Sequence, residues 1–297
     1  MAARKPSSLQ LWLAGARLRT LPLAVAPVLI GAGAAASLQK FDLLLSALAL
    51  AVALALQIGV NYANDYSDGI RGTDEFRVGP LRLTGSKSVR PEAVKIAAFA
   101  FFAIAAVCGL AIVLITQHWW FIAVGAAAIL AAWFYTGGKN PYGYAGLGEV
   151  AVFIFFGLVA TYGTAFIQIG YFDLNAIIGG TGVGLFAAAV LMVNNIRDRE
   201  TDIIAKKRTL AVKLGSRAGK WLFYFMIWMP LALAVPVALI YPAVIFSIST
   251  LLLVAPTTLI VAKAKTAKEL ILALKLTSFA ALTYSAFFAL GLAAPAL

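Results

Sequence analysis

Two stretches of the chain gather the residue types that bind hard cations. The first is Asn61-Tyr-Ala-Asn-Asp65-Tyr-Ser-Asp68, and the second is Asn194-Asn-Ile-Arg-Asp198-Arg-Glu-Thr-Asp202. Asn61 and Asp65 are four residues apart, and so are Asn194, Asp198 and Asp202. On a helix, residues four apart lie one above the other on a single face. Each stretch therefore predicts a column of oxygen ligands aimed in one direction. Oxygen donors without thiols suit Mg2+, which keeps several waters and shares its coordination with substrate phosphates. Two facing columns would clamp a Mg2+-diphosphate, with Asn61, Asp65, Asp68, Asn194, Asp198 and Asp202 as the metal ligands. The repeat is imperfect. A third carboxylate in the first column would fall at Gly69, and Asp68 stands one residue early, about 100° away around a helix.

Of the 12 acidic residues, Asp65, Asp68, Asp74, Glu75, Asp198, Glu200 and Asp202 fall in or just after these stretches. Asp74, Glu75 and Glu200 read as solvated helix ends. The others would repel one another at the edge of an apolar phase unless a cation offset them. A diphosphate held by a metal on one side is commonly met by Lys or Arg on the other. Arg71, Lys139, Lys206, Lys207 and Arg208 are the candidates.

The elements that must position these residues are apolar helices. The 297-residue chain is 62% hydrophobic and only 12% charged, which excludes an ordinary soluble domain. Runs near 20 residues, long enough to cross a bilayer, recur along it. No short alternating segments suggest a β-barrel. The expectation is an all-α polytopic membrane protein forming a single domain over residues 1–297, a bundle of nine transmembrane helices. The spans are expected near 21–36, 43–64, 93–116, 121–135, 150–169, 174–193, 221–240, 244–262 and 270–292. Residues 1–20 form an N-terminal cytoplasmic or interfacial segment, polar to about Gln10. Residues 68–91 and 197–220 form cytoplasmic loops.

The formal net charge of +12 is placed by topology rather than by nucleic acid. With nine spans, the basic residues of both long loops, Lys139, and the Lys263-to-Lys268 segment fall on one side, while Lys40 alone falls on the other. The positive-inside rule then puts the N-terminus and both acidic stretches in the cytoplasm and the C-terminus outside. A multi-pass protein of the cell membrane, in contact with membrane lipid, is expected. Cys108 is the single cysteine, which excludes an intrachain disulfide and a cysteine-rich metal site. Membrane carboxylates in two related halves also suit a cation-coupled transporter, although its charges would be expected near the midplane.

The two stretches resemble the aspartate-rich motifs of the UbiA superfamily of intramembrane aromatic prenyltransferases, and the resemblance spans nearly the whole chain. Arg17-Leu-Arg-Thr-Leu-Pro22, Asn64-Asp-Tyr-Ser-Asp-Gly-Ile-Arg-Gly-Thr-Asp74, Tyr135-Thr-Gly-Gly, Gly143-Tyr-Ala-Gly-Leu-Gly-Glu149 and Lys207-Arg-Thr-Leu-Ala211 resemble the branch that prenylates 1,4-dihydroxy-2-naphthoate. The resemblance implies a Mg2+-dependent enzyme of the menaquinone route. Its substrates would be a polyprenyl diphosphate and 1,4-dihydroxy-2-naphthoate, its product demethylmenaquinol after decarboxylation. Asp65, Asp198 and Asp202 would be catalytic, and Arg19 and Tyr135 would bind the acceptor. Tyr62, Tyr135, Tyr142, Tyr162 or Phe166 could face an allylic cation. Related enzymes of this superfamily would take 4-hydroxybenzoate, homogentisate or a porphyrin or chlorin instead.

Overall fold

The computed structural model describes residues 7–73 and 82–294. Asp74, Glu75 and Arg77, part of the first expected loop, lie outside the described residues. Those described form helices and turns and no strand, as a chain with no water to satisfy its backbone requires.

Helix α1 (Ser8–Ala16) opens on a capping box: Ser7 Oγ accepts from the Gln10 N–H, and Gln10 Oε1 accepts from the Ser7 N–H. The segment expected to be polar to about Gln10 is thus helical from Ser8. Arg17 takes a left-handed conformation (φ 53°) and ends α1. A turn at Leu18–Thr20 leads into α2 (Pro22–Ser37), bent 46° from the preceding helix.

Helix α3 (Leu43–Ile70) is capped by Asp42, which accepts from the Leu45 N–H at 2.8 Å. Then follow α4 (Pro91–Thr116), α5 (Phe121–Phe134), α6 (Gly148–Ile169), α7 (Leu174–Ile204), α8 (Leu210–Ala238), α9 (Pro242–Lys263) and α10 (Glu269–Ala293). Helices α3 and α7 run well past the apolar stretches that predict them, which end near Asn64 and Val193. The loop expected over 197–220 is therefore helical through Ile204 and again from Leu210, with a turn between them. Loss of apolar character marks where hydrocarbon ends. It does not mark where the helix ends, since polar side chains that find partners leave the backbone ladder intact.

Among the described residues, seven helices are long and apolar enough to cross a membrane, or eight if the bent pair from Ser8 to Ser37 is one span. The expected count of nine requires α5 as well. Its 14 residues extend about 21 Å, against a hydrocarbon core about 30 Å thick.

Helix α7 is the centre of the bundle, packed on α2, α6, α8 and α10. Small residues permit this closeness. Within α6, residues Phe153–Val159 form a π-helical stretch, and Gly157 there meets Gly184 of α7. A Cβ on Gly157 would stand 2.5 Å from the Gly184 Cα, where only backbone could yield. Gly157→Val is expected to destabilise the protein by roughly 1–3 kcal/mol or more, read as a lower Tm in detergent. An unchanged Tm would contradict the close crossing.

Candidate active site

Successive helix residues turn by about 100°, which sorts the polar residues of α3 and α7 into those that face the interior and those that do not. Gln57, Val60, Asn61, Asn64 and Asp68 of α3 line one cavity, of about 390 Å3, together with Asn194, Asn195, Asp198, Thr201 and Asp202 of α7. The cavity follows α3 from Ala49 to Asp68, about 29 Å of helix. Most of that length is apolar, walled by Leu23, Val28, Leu56, Phe155, Phe156 and Ile167. Its carboxylates, Asp68, Asp198 and Asp202, stand near the ends of α3 and α7.

Asp65 is the main departure from expectation. It lies about 60° around the helix from Asp68, fully buried and outside the cavity lining. Its Oδ2 accepts from the Leu83 N–H and its Oδ1 from the Thr84 N–H, both at 2.9 Å. Asp65 thus fastens the 82–84 segment to α3. Asn61 borders the cavity, but its Nδ2 donates to the Ala16 carbonyl at 3.0 Å and to Thr20 Oγ1 at 3.1 Å. It anchors the hinge between α1 and α2. The column facing α7 is Asn64-x3-Asp68, three residues on from the frame expected, and it has the same spacing as Asn194-x3-Asp198. Gly72 falls where Asp202 stands in the second column. Asn64 was missed although its spacing to Asp68 is visible in the sequence; the earlier Asn-x3-Asp frame concealed it.

The two columns are handled alike at their asparagines. Asn64 Oδ1 accepts from Thr136 Oγ1 at 2.7 Å, and Asn194 Oδ1 accepts from Arg197 Nη2 at 2.9 Å. An amide oxygen has two lone pairs, so each keeps capacity for a cation. Around Asp68 the partners are Tyr144, whose hydroxyl donates at 2.5 Å, Lys207 Nζ at 3.2 Å and Arg82 Nη2 at 3.8 Å. The Lys207 contact joins the turn after α7 to the end of α3. Lys207 also lies over the Tyr144 ring, 4.6 Å from its centre. That turn depends on Lys206, held left-handed at φ 57°. Asp198 is gripped through both oxygens by Arg197, at 2.7 and 2.6 Å. Asp202 Oδ2 accepts from Thr209 Oγ1 at 3.4 Å.

Of the other basic candidates, Arg71 does not line the cavity; its guanidinium donates to the carbonyls of Thr136 and Gly138. Lys139, Lys206 and Arg208 share a second cleft with Lys213, of about 330 Å3, on the other side of Tyr144. Only Lys207 of the five expected cations borders the main cavity, joined by Arg82. Arg19 and Tyr135 do line it, and so does Arg17. Among the aromatic candidates Tyr135 and Tyr142 line the cavity, whereas Tyr62, Tyr162 and Phe166 do not. The Tyr62 hydroxyl donates to the Trp12 carbonyl, and Phe166 packs against His118 and Trp120.

Tyr144 lies in the turn between α5 and α6. Burial, and then the Asp68 charge, push its hydroxyl above the ordinary tyrosine range. It therefore stays protonated and able to donate to Asp68. Tyr144→Phe is expected to weaken activity about tenfold, by loss of one hydrogen bond to a charged group. The pH profile between about pH 6 and 9 should keep its shape, since a tyrosine raised above 10 does not titrate there. A limb of the profile that disappears with the hydroxyl would contradict this.

Among the described residues, no group of three His, Cys, Asp or Glu side chains is placed to hold a metal by itself. The carboxylates are divided, Asp68 on α3 against Asp198 and Asp202 on α7. One or two carboxylates completed by phosphate oxygens and waters is the usual Mg2+ arrangement. The all-oxygen donor set, with no thiol or imidazole, fits that ion.

Apolar membrane-crossing helices around a cavity that also carries Asn and Asp side chains from two helix ends define a class of integral membrane protein suited to a lipid-tailed anion. A model of the UbiA prenyltransferase family matches residues 24–279, and the chain belongs to that family. It is 50% identical over 212 residues to the 1,4-dihydroxy-2-naphthoate octaprenyltransferase of Mycobacterium tuberculosis, covering 71% of this chain and 72% of that protein. Among solved structures, a UbiA homologue from Aeropyrum pernix superposes with a TM-score of 0.72 at 16% identity, covering 91% of this chain and 97% of the other. A UbiA homologue from Archaeoglobus fulgidus bound to GPP and Mg2+ gives 0.63 at 15% identity, with 92% and 97% covered. At such identities these two likenesses concern the fold.

Proposed function

We propose that the protein transfers a polyprenyl group from a polyprenyl diphosphate to 1,4-dihydroxy-2-naphthoate, with loss of CO2, to give demethylmenaquinol. The observation that carries this reading is the cavity itself, lined mostly by apolar side chains along α3 and by Asn64, Asp68, Asn194, Asp198 and Asp202 near the ends of α3 and α7. A prenyl chain matches the first part and a diphosphate the second. The acceptor is inferred from the naphthoate-prenylating relative.

Asp68, Asp198 and Asp202, with the amide oxygens of Asn64 and Asn194, would hold Mg2+. When bound, that ion supplies Lewis-acid stabilisation to the departing diphosphate. Lys207 and Arg82 add positive charge beside the same leaving group. The allylic C–O bond breaks with its electron pair going to the diphosphate. Tyr135, Phe155 and Phe156 line the cavity and would stabilise the allylic cation through their rings. The ring carbon that bears the carboxylate then forms the new C–C bond, and as that carboxylate departs as CO2 the electron pair of its C–C bond returns to the ring. Arg17 and Arg19, on the hinge anchored by Asn61, would hold the acceptor carboxylate. The charged end faces the cytoplasm in this reading, because both polar substrates arrive from there and the basic loops collect there. The tail remains in the plasma membrane throughout.

The test is turnover by purified protein in detergent. With radiolabelled polyprenyl diphosphate and Mg2+, 1,4-dihydroxy-2-naphthoate should give a lipid-soluble product that 4-hydroxybenzoate and homogentisate do not. Product only with another acceptor would overturn the assignment, and no product with any would favour a transporter.

A further inference from the structure

Arg197 carries a buried charge that the reaction itself does not use. Its side chain is fully buried (0% exposed), and it is absent from the cavity lining while Asn194 and Asp198 belong to it. A long cationic side chain at the end of a membrane helix ordinarily extends to water. This one folds back along its own helix. Nε and Nη2 reach the two oxygens of Asp198 at 2.7 and 2.6 Å, and Nη2 also reaches Asn194 Oδ1 at 2.9 Å. Neighbouring residues on a helix do not normally face each other, so the contact is formed by the side chain's own course. One planar guanidinium thereby couples the two leading members of the second column from behind.

We propose that Arg197 is a positioning residue for the cation site. It fixes the rotamers of Asn194 and Asp198 so that their remaining lone pairs point into the cavity. A carboxylate offers about four lone-pair sites, and the two hydrogen bonds from Arg197 do not exhaust them. The guanidinium also supplies counter-charge to Asp198 when no ion is present, which keeps the column assembled in the empty protein. Only a fork of donors at fixed angles performs both tasks, and a lysine ammonium does not. The first column has no such device among the described residues: Thr136 holds Asn64, and Tyr144, Lys207 and Arg82 hold Asp68. Arg197 thus couples two members of the second column from within their own helix, whereas the first column is held by residues of other elements.

This rests on the Mg2+-diphosphate reading of the cavity. The test is Mg2+ binding, measured by calorimetry on the purified full chain in detergent with a non-hydrolysable prenyl diphosphate analogue present. Residues that orient metal ligands change metal affinity by roughly 10–100-fold when altered, and Arg197→Lys is expected to weaken Mg2+ binding by that factor. Arg197→Gln should do the same, with the KM of the acceptor unchanged in both. A merely structural arginine would lower the Tm and leave the Mg2+ affinity of the folded protein at the wild-type value, which overturns the proposal. Tighter Mg2+ binding would overturn it too, since it would mean that Arg197 blocks the ligands rather than holding them. Arg197→Lys keeps the charge and folds more readily, so it decides the matter if the glutamine variant does not fold. Failure of the wild-type protein to bind Mg2+ with the analogue would instead count against the functional reading.

Discussion

Asp198→Asn is expected to reduce turnover at least about a hundredfold while leaving a folded protein. Even residues that only support a metal ligand change activity by about 10–100-fold, and Asp198 is placed to be a ligand itself. Asparagine has nearly the same shape but no charge, and only one of its two polar atoms accepts. The Arg197 fork would then face one acceptor instead of two, at 2.7 and 2.6 Å in the parent. The arginine would also lose its counter-charge, so a modest fall in Tm should accompany the loss. Steady-state rates across a Mg2+ titration provide the measurement. Activity restored to the wild-type rate at saturating Mg2+ would show that the carboxylate is not required in the transition state.

Asp65 and Asp68 should part company under the same treatment. Asp65→Ala removes the acceptor for two buried backbone donors, the N–H groups of Leu83 and Thr84. Each unsatisfied group costs about 1–3 kcal/mol, so the loss should reach roughly 2–6 kcal/mol. Leu83, fully buried against the cluster that holds Ala16, Tyr62 and Phe102, would be released with them. Asp65→Asn retains one acceptor and should cost about half as much. Asp68→Ala takes a shared partner from Tyr144, Lys207 and Arg82, so its Tm should fall as well, but it should also remove Mg2+-dependent turnover from the folded protein by at least about a hundredfold. Thermal unfolding of the three variants, beside Mg2+ titrations of those that fold, distinguishes the roles. An Asp65→Ala protein of parental stability without activity, paired with an active Asp68→Ala protein, would restore the Asn61-x3-Asp65 column as the site.

The mistaken frame has a physical origin. Asn61-x3-Asp65 and Asn64-x3-Asp68 are both four-residue columns on one helix, and helical spacing alone assigns no direction to either. Direction is set by what lies beside the helix: the 82–84 segment against one flank of α3, and α7 across the cavity from the other. The basic residues repeat the point. Lys206, Lys207 and Arg208 are consecutive, yet one left-handed residue turns Lys207 toward Asp68 and leaves its neighbours in a cleft with Lys139. Arg197 and Tyr144 were overlooked because a charge near a membrane edge and an aromatic in a glycine-rich loop both have commonplace explanations.

Composition, apolar run length and the recurrence of Asn-x3-Asp were sufficient to determine a polytopic helical membrane protein with two acidic helix ends. Those properties follow from solvent and from covalent spacing, which each segment carries locally. Which carboxylate turns inward, how far the motif helices continue beyond hydrocarbon, and which cations reach the cavity were decided only by what packs around α3 and α7 on the two sides of the cavity. Those outcomes depend on rotations of about 60° to 100° about a helix axis, and a side chain's neighbours across the bundle settle them, not its neighbours in the chain.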